Sequence, residues 1–175
     1  VFNYFYENVL INKKFRDGRK NFKLVKDAEK ILYNIDSVLE TGNKKMIICE
    51  GEIDALSYIE SGINFAVSVP NGANTNTDYL DNYMPLFDGI EEVYLATDND
   101  TKGLQLREEL LRRFGAYRCY KVDFEDCKDA NEYLVKYGKE ALVNTILNAQ
   151  KFPIEGLIKV EDIEDPKKNS KLNNI

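Results

Sequence analysis

The rhythm of apolar and polar positions changes once along the chain, and the change divides it. In the first twenty residues Phe2, Tyr4 and Tyr6 fall on one period of two and Leu10, Asn12, Lys14 and Arg16 on another, on either side of "YENV". That alternation predicts a β-hairpin. A polar connection, an apolar patch at 31–38 and the turn "TGNKK" lead into a different regime. There, short apolar runs at 46–49, 65–69, 92–97 and 117–123 predict buried strands. A helical period at about 53–61, 78–87, 102–114 and 139–149 predicts helices, several closing at a glycine (Gly62, Gly89, Gly115). Strands alternating with helices make right-handed βαβ units. The expected class is therefore α/β: a central parallel sheet of about four strands flanked by helices, preceded by a small basic β-rich subdomain.

Composition bounds the chemistry. The 175 residues are 43% hydrophobic, enough for a real core, and no apolar stretch approaches the roughly 20 residues that span a bilayer. No membrane association and a cytoplasmic setting are expected. The chain starts at Val1 rather than methionine, so a piece of a longer protein is expected. There is no histidine, and Cys49, Cys119 and Cys127 lack CxxC spacing, so a zinc site and any Ser-His or Cys-His pair are excluded. The thiols read as small buried hydrophobes. Net charge is -6, but it is unevenly spread: residues 1–30 hold eight basic and four acidic side chains, a net of +4, leaving -10 on the other 145. A basic arm on an acidic body fits a body that holds cations and an arm that holds a polyanion, or else a solvated charge run.

The acids concentrate where strands end. "IICEGEID" (47–54) places Glu50 directly after the first parallel strand, with Glu52 and Asp54 in the turn and first helical turn. "YLATDND" (94–100) ends the third strand with Asp98 and Asp100, whose spacing of two puts both on one face of an extended chain. In parallel sheets ligands collect at these carboxyl ends, near a switch in strand order. Helix capping accounts for Asp100 or Asp54 singly. It does not account for five acids at two strand ends, where like charges repel. Hard oxygen donors without sulfur or imidazole suit magnesium or manganese, and magnesium implies a phosphoryl substrate.

Three ordered blocks, "CEGEIDALSYIESGINFAVSVPNGAN", "VYLATDNDTKG" and "CKDANEYL", resemble the Toprim domain of primases, particularly bacteriophage and mitochondrial Twinkle-type primase-helicases and more loosely bacterial DnaG, over about residues 45–137. Upstream, "LINKKFRDGRKNFK" is similar to the end of the basic subdomain before Toprim, and "FPIEGLIKVEDI" to a segment leading into a helicase. The resemblance implies a basic subdomain at 1–44, a Toprim catalytic domain at 45–150 and a linker at 151–175. It implies a DNA primase: metal-dependent RNA primer synthesis on single-stranded DNA from ribonucleoside triphosphates, with a replicative helicase in cis or trans. By the same resemblance Glu50, Asp98 and Asp100 are the catalytic and principal metal-holding acids, Asp54 and Asp129 support a second ion, and two magnesium or manganese ions are implied.

Lys128 can meet the triphosphate or be a solvated turn lysine. Lys14 and Arg16 share a strand face and can clamp template or nucleotide phosphates, while Phe15 between them is expected to pack on the opposite side. Asn71 and Gly72 can approach the site through the backbone or simply make a turn. The family's template-reading zinc module has no ligands here. Toprim nucleases and topoisomerases, and a DNA-binding Toprim scaffold with an idle metal site, are the competing readings. A phosphoacceptor receiver domain offers no reason for "EGEID".

Overall fold

The computed structural model describes residues 1–19, 21–40 and 42–153. β1 (Phe2–Tyr6) and β2 (Val9–Arg16) pair antiparallel around a two-residue turn, Glu7–Asn8, with φ of 51° and 62°. Left-handed conformations at both positions match the right-handed twist of the flanking strands. Asp36 fastens this turn to the body, accepting from the Glu7 and Asn8 amides at 2.9 and 3.0 Å. A third strand, β3 (Phe22–Leu24), pairs with β2; three residues are too few to show a period, and the sequence pattern does not reveal it.

After α1 (Ile35–Glu40), the chain builds β4 (Lys45–Cys49), α2 (Glu52–Glu60), β5 (Ala66–Ser68), β6 (Glu92–Ala96), α3 (Thr101–Phe114) and β7 (Cys119–Lys121). It ends with α4 (Ala130–Tyr137), α5 (Lys139–Leu147) and β8 (Gln150–Lys151). The sheet order is β5-β4-β6-β7-β8, with the first four strands parallel and β8 an antiparallel edge. One face is closed by α3, α1 and the N-terminal sheet, which share a core that includes Tyr4, Ile31, Ile48, Leu95 and Leu106. The other is closed by α2, α4 and α5 around Ile47, Tyr58, Val122 and Leu142. All three thiols are buried and free.

Three details depart from the sequence reading. The helix expected at 78–87 is two short 3₁₀ turns, Asp78–Leu80 and Met84–Phe87; Pro85 lacks the amide and clashes with the preceding turn, so no α-helix can run through. The strand expected at 117–123 contracts to 119–121. Arg118, in the 3₁₀ turn before it, is buried and donates to the carbonyls of Phe114, Phe87 and Ile90 at 2.8, 2.9 and 2.9 Å, which bends the chain away from the ladder. Phe15 points opposite to Lys14 but does not pack: it is 45% exposed, because the hairpin sheet turns only its Tyr4–Asn12–Lys14 face to the core. The expectation for the linker lies, from residue 154 on, outside the described residues.

Candidate active site

From β4 the chain moves to β5 on one side and returns to β6 on the other, so the order reverses between β4 and β6. Their carboxyl ends are neighbours, and each ends in an acid. Glu50 follows β4, and Asp54 sits in the first turn of α2, whose N-cap Gly51 leaves only 2.9 Å between an added Cβ and the Asp54 carboxylate. Asp98 is buried two residues past β6, and Asp100 caps α3, its Oδ1 accepting from the Lys102 and Gly103 amides at 3.0 Å each. The two aspartates are not in extended strand, yet they converge. Lys128 Nζ lies 2.8 Å from Asp98 Oδ2 and 3.4 Å from Asp100 Oδ2.

Asn99, between the aspartates, makes that convergence possible. Its amide donates to the Lys128 carbonyl at 2.8 Å and its side chain to the Cys127 carbonyl at 3.1 Å, fastening the β6 loop to the loop before α4. Asp129 caps α4, accepting from the Glu132 amide at 2.8 Å, while Glu132 accepts from the Lys128 amide at 2.6 Å, a variant of the capping box. In the same first turn, the Asn131 amide donates to Asp54 Oδ1 at 3.1 Å, joining α4 to α2.

A cleft of about 510 Å³ lies over this rim. Glu50, Asp54, Asp98 and Asp129 line one side together with Lys128, and Lys14, Arg16 and Phe22 of the N-terminal sheet line the other. Lys14 and Arg16 do share a face, flanking the Phe22 ring at 4.9 and 5.4 Å. Asn71 and Gly72 also border the cleft; Gly72 has a left-handed φ of 60°, and Asn71 Oδ1 is buried without a partner among the described residues.

Against known proteins, residues 47–134 match the family described as Toprim-like. The chain belongs to the Toprim-like family. It is 34% identical to the Arabidopsis thaliana Twinkle homolog protein, chloroplastic/mitochondrial, over 94% of this chain and 26% of that relative. It is 35% identical to an Arabidopsis thaliana primase homolog protein over 89% of this chain and 51% of that one, so it spans about half or less of these relatives. The crystal structure of the primase fragment of the bacteriophage T7 primase-helicase protein superposes with a TM-score of 0.71 at 28% identity, covering 82% of this chain and 60% of that one.

Within this Toprim-like chain, Gly103 and Arg107, like Asn99, escaped the sequence reading, and Glu52, which it grouped with the rim acids, has a different partner. Gly103, inside α3, packs against the rim: an added Cβ would stand 2.2 Å from the Asp98 carbonyl oxygen. A glycine two residues into an otherwise strong helix was the available signal. Arg107 straps the end of β6, its Nε donating to Thr97 Oγ1 at 3.2 Å and its Nη2 to the Thr97 carbonyl at 3.3 Å. Glu52, the third acid of "EGEID", turns away from the other two and pairs with Lys14 Nζ at 2.7 Å.

The rim resists ionisation. Burial, then the charges of Asp98 and Asp100, push Glu50 up to about 7, against the pull of Lys128 and the Asp98 amide. Burial and Asp129 push Asp54 up to about 7. Burial outweighs the Lys128 bond at Asp98 and holds its pKa above the ordinary value, whereas the Gly103 amide lowers that of the exposed Asp100. The Asp98 bond raises Lys128. Among the described residues no three acids or thiols stand close enough to hold an ion as they are. The donor chemistry nevertheless suits a hard divalent cation. All the donors are oxygens, Glu50 Oε2 is buried without a partner among the described residues, and a cation, the Lys128 ammonium, already bridges Asp98 and Asp100.

Two predictions follow from this geometry. A raised carboxyl pKa favours folding below the unfolded value and loses that contribution as pH climbs through the folded value. Metal-free protein should therefore lose stability between about pH 4 and pH 7, and Asp54→Asn, which keeps the Asn131 bond, should raise the thermal midpoint at pH 8 by about 3 to 6 °C but hardly at pH 4. A pH-independent effect would refute the account. Gly103→Ala should cost on the order of 2 kcal/mol in urea unfolding, although alanine favours helix by about 1 kcal/mol. A stabilised variant would show that the rim yields freely.

Proposed function

We propose that this chain is the catalytic part of a primase or primase-helicase, making RNA primers on single-stranded DNA by metal-dependent nucleotidyl transfer from ribonucleoside triphosphates. One observation carries the reading. The acids at the tips of β4 and β6 face the basic residues Lys14 and Arg16 across a single cleft, in a fold shared with a phage primase fragment. A triphosphate bearing a divalent cation needs both signs of charge within one site.

Glu50, Asp98 and Asp100 would hold magnesium or manganese, with Asp54 and Asp129 behind them. When bound, the ion supplies neutralisation of phosphoryl charge and a lower pKa for the attacking hydroxyl. The primer 3′ oxygen bonds to the α-phosphorus, the bond to the β-phosphate breaks, and pyrophosphate leaves. Glu50, at the same rim, would be the acceptor for the hydroxyl proton. Lys14, Arg16 and Lys128 meet the phosphates, and the +4 N-terminal arm carries template backbone. A replicative helicase, in cis or trans, and a cytoplasmic setting complete the proposal; the domain division at residues 44 and 150 belongs to it as well.

A second reading, a DNA-binding scaffold with an idle metal site, draws on the Lys128 bridge between Asp98 and Asp100. Single-stranded template, labelled nucleotides and manganese separate the two. The wild-type chain should yield short labelled RNA, and Asp98→Asn should cut the yield by at least about 100-fold while weakening manganese binding. The metal-free midpoint should hold or rise, because the substitution removes repulsion. Manganese bound at the rim with no product would establish the scaffold, and a steep metal-free loss of stability would mark Asp98 as structural.

A further inference from the structure

Glu52 is 2% exposed, and one of its oxygens, Oε1, accepts from both Lys14 Nζ at 2.7 Å and the Tyr4 hydroxyl. Tyr4 is wholly buried and fixed edge-on against Tyr33 at 5.5 Å, which in turn bridges to Ser68 of β5. Burial and then Glu52 push the Tyr4 hydroxyl pKa well up, so it stays a proton donor. Lys14 comes from β2 and Glu52 from α2, so the ion pair crosses the seam between the N-terminal sheet and the parallel sheet's helix layer. Breaking a buried pair strands a charge, whereas the intact pair fixes geometry.

An ammonium has three donors, and Glu52 takes one. The Lys14 side chain also lies against the Phe22 ring at 4.9 Å and borders the cleft. A free lysine on a strand keeps its rotamer freedom, which a phosphate contact would have to overcome. Here that ordering is already imposed in the fold, by a carboxylate that is itself held by a locked tyrosine.

We propose that Glu52 is the positioning residue for Lys14: it holds the ammonium at the cleft wall, pre-set to receive nucleotide phosphate, and takes no part in holding metal despite its place in "EGEID". The inference rests on the cleft binding nucleotide. It makes an unusual prediction, because removing a negative charge beside a phosphate site should ordinarily tighten anion binding. Glu52→Gln keeps size and an acceptor for Tyr4, yet should weaken ATP binding about tenfold in magnesium buffer by releasing Lys14. In primer synthesis the loss should appear in KM far more than in kcat. Lys14→Met should weaken binding similarly, and Glu52→Gln added to it should change nothing further. Glu52→Asp, which retains the charge, should recover part of the affinity. The double variant leaves no stranded charge, and Tyr4→Phe, expected to weaken binding about twofold to threefold, gives a second route if Glu52→Gln folds poorly. Tighter or unchanged ATP binding in Glu52→Gln, with the wild type binding normally, overturns the inference alone. A wild-type chain that binds no ATP overturns the proposed function and this inference with it.

Discussion

Like charges gathered at two adjacent parallel strand tips, half stripped of water, form the constraint to which the rest of the molecule answers. β4 and β6 are neighbours, so Glu50 and Asp98 cannot separate. Burial raises both pKa values, and neighbouring charge adds to it: Asp98 and Asp100 at Glu50, Asp129 and Asp100 at Asp98. The surroundings offset the repulsion with fixed donors: the Lys128 ammonium, the Gly103 and Lys102 amides on Asp100, and the Asn131 amide on Asp54. Delivering those donors requires α3 to start close to the rim, which Gly103 permits, and the Lys128 loop to be tied down, which Asn99 does.

The N-terminal sheet belongs to the same arrangement. An antiparallel hairpin with a three-residue third strand needs an apolar face to bury, and Tyr4, Ile31 and Ile35 share one core with Met46, Ile48 and Leu106. Its charged side is set by that packing. Asn12 and Lys14 face inward because Tyr4 does, across the ladder, and the buried Lys14 finds a carboxylate on α2. Complementary charge between a +4 arm and a -10 body is thereby converted from a long-range attraction into one specific contact.

Much of this was legible in the chain. The hairpin, the four parallel strands and the long helix α3 follow from periods of two and 3.6, because each buries a continuous face. What stayed hidden was short or tertiary. β3 and β8 are too brief to show a period, and α4, at eight residues, makes barely two turns. At the rim, the topology brings Glu50 and Asp98 together as strand order demands. No local pattern, however, reveals that Glu52 turns to Lys14, 38 residues upstream, or that Arg107 reaches back to Thr97. Such pairings depend on the crossing of elements, which a one-dimensional pattern does not encode.

Capping and site chemistry are rival explanations of the acids in sequence, yet a cap does not use up a carboxylate. Asp100 uses Oδ1 to cap α3 and turns Oδ2 toward Lys128. Asp129 caps α4 with Oδ1 and still borders the cleft. A carboxylate has two oxygens, and a cap occupies one of them. The cap fixes the rotamer of the other, so the helix N-termini do for the acids what Glu52 does for Lys14: they remove conformational freedom before any ligand arrives. Repulsion that would splay flexible acids apart is contained because Asp54, Asp100 and Asp129 are bonded to backbone amides and Asp98 to Lys128.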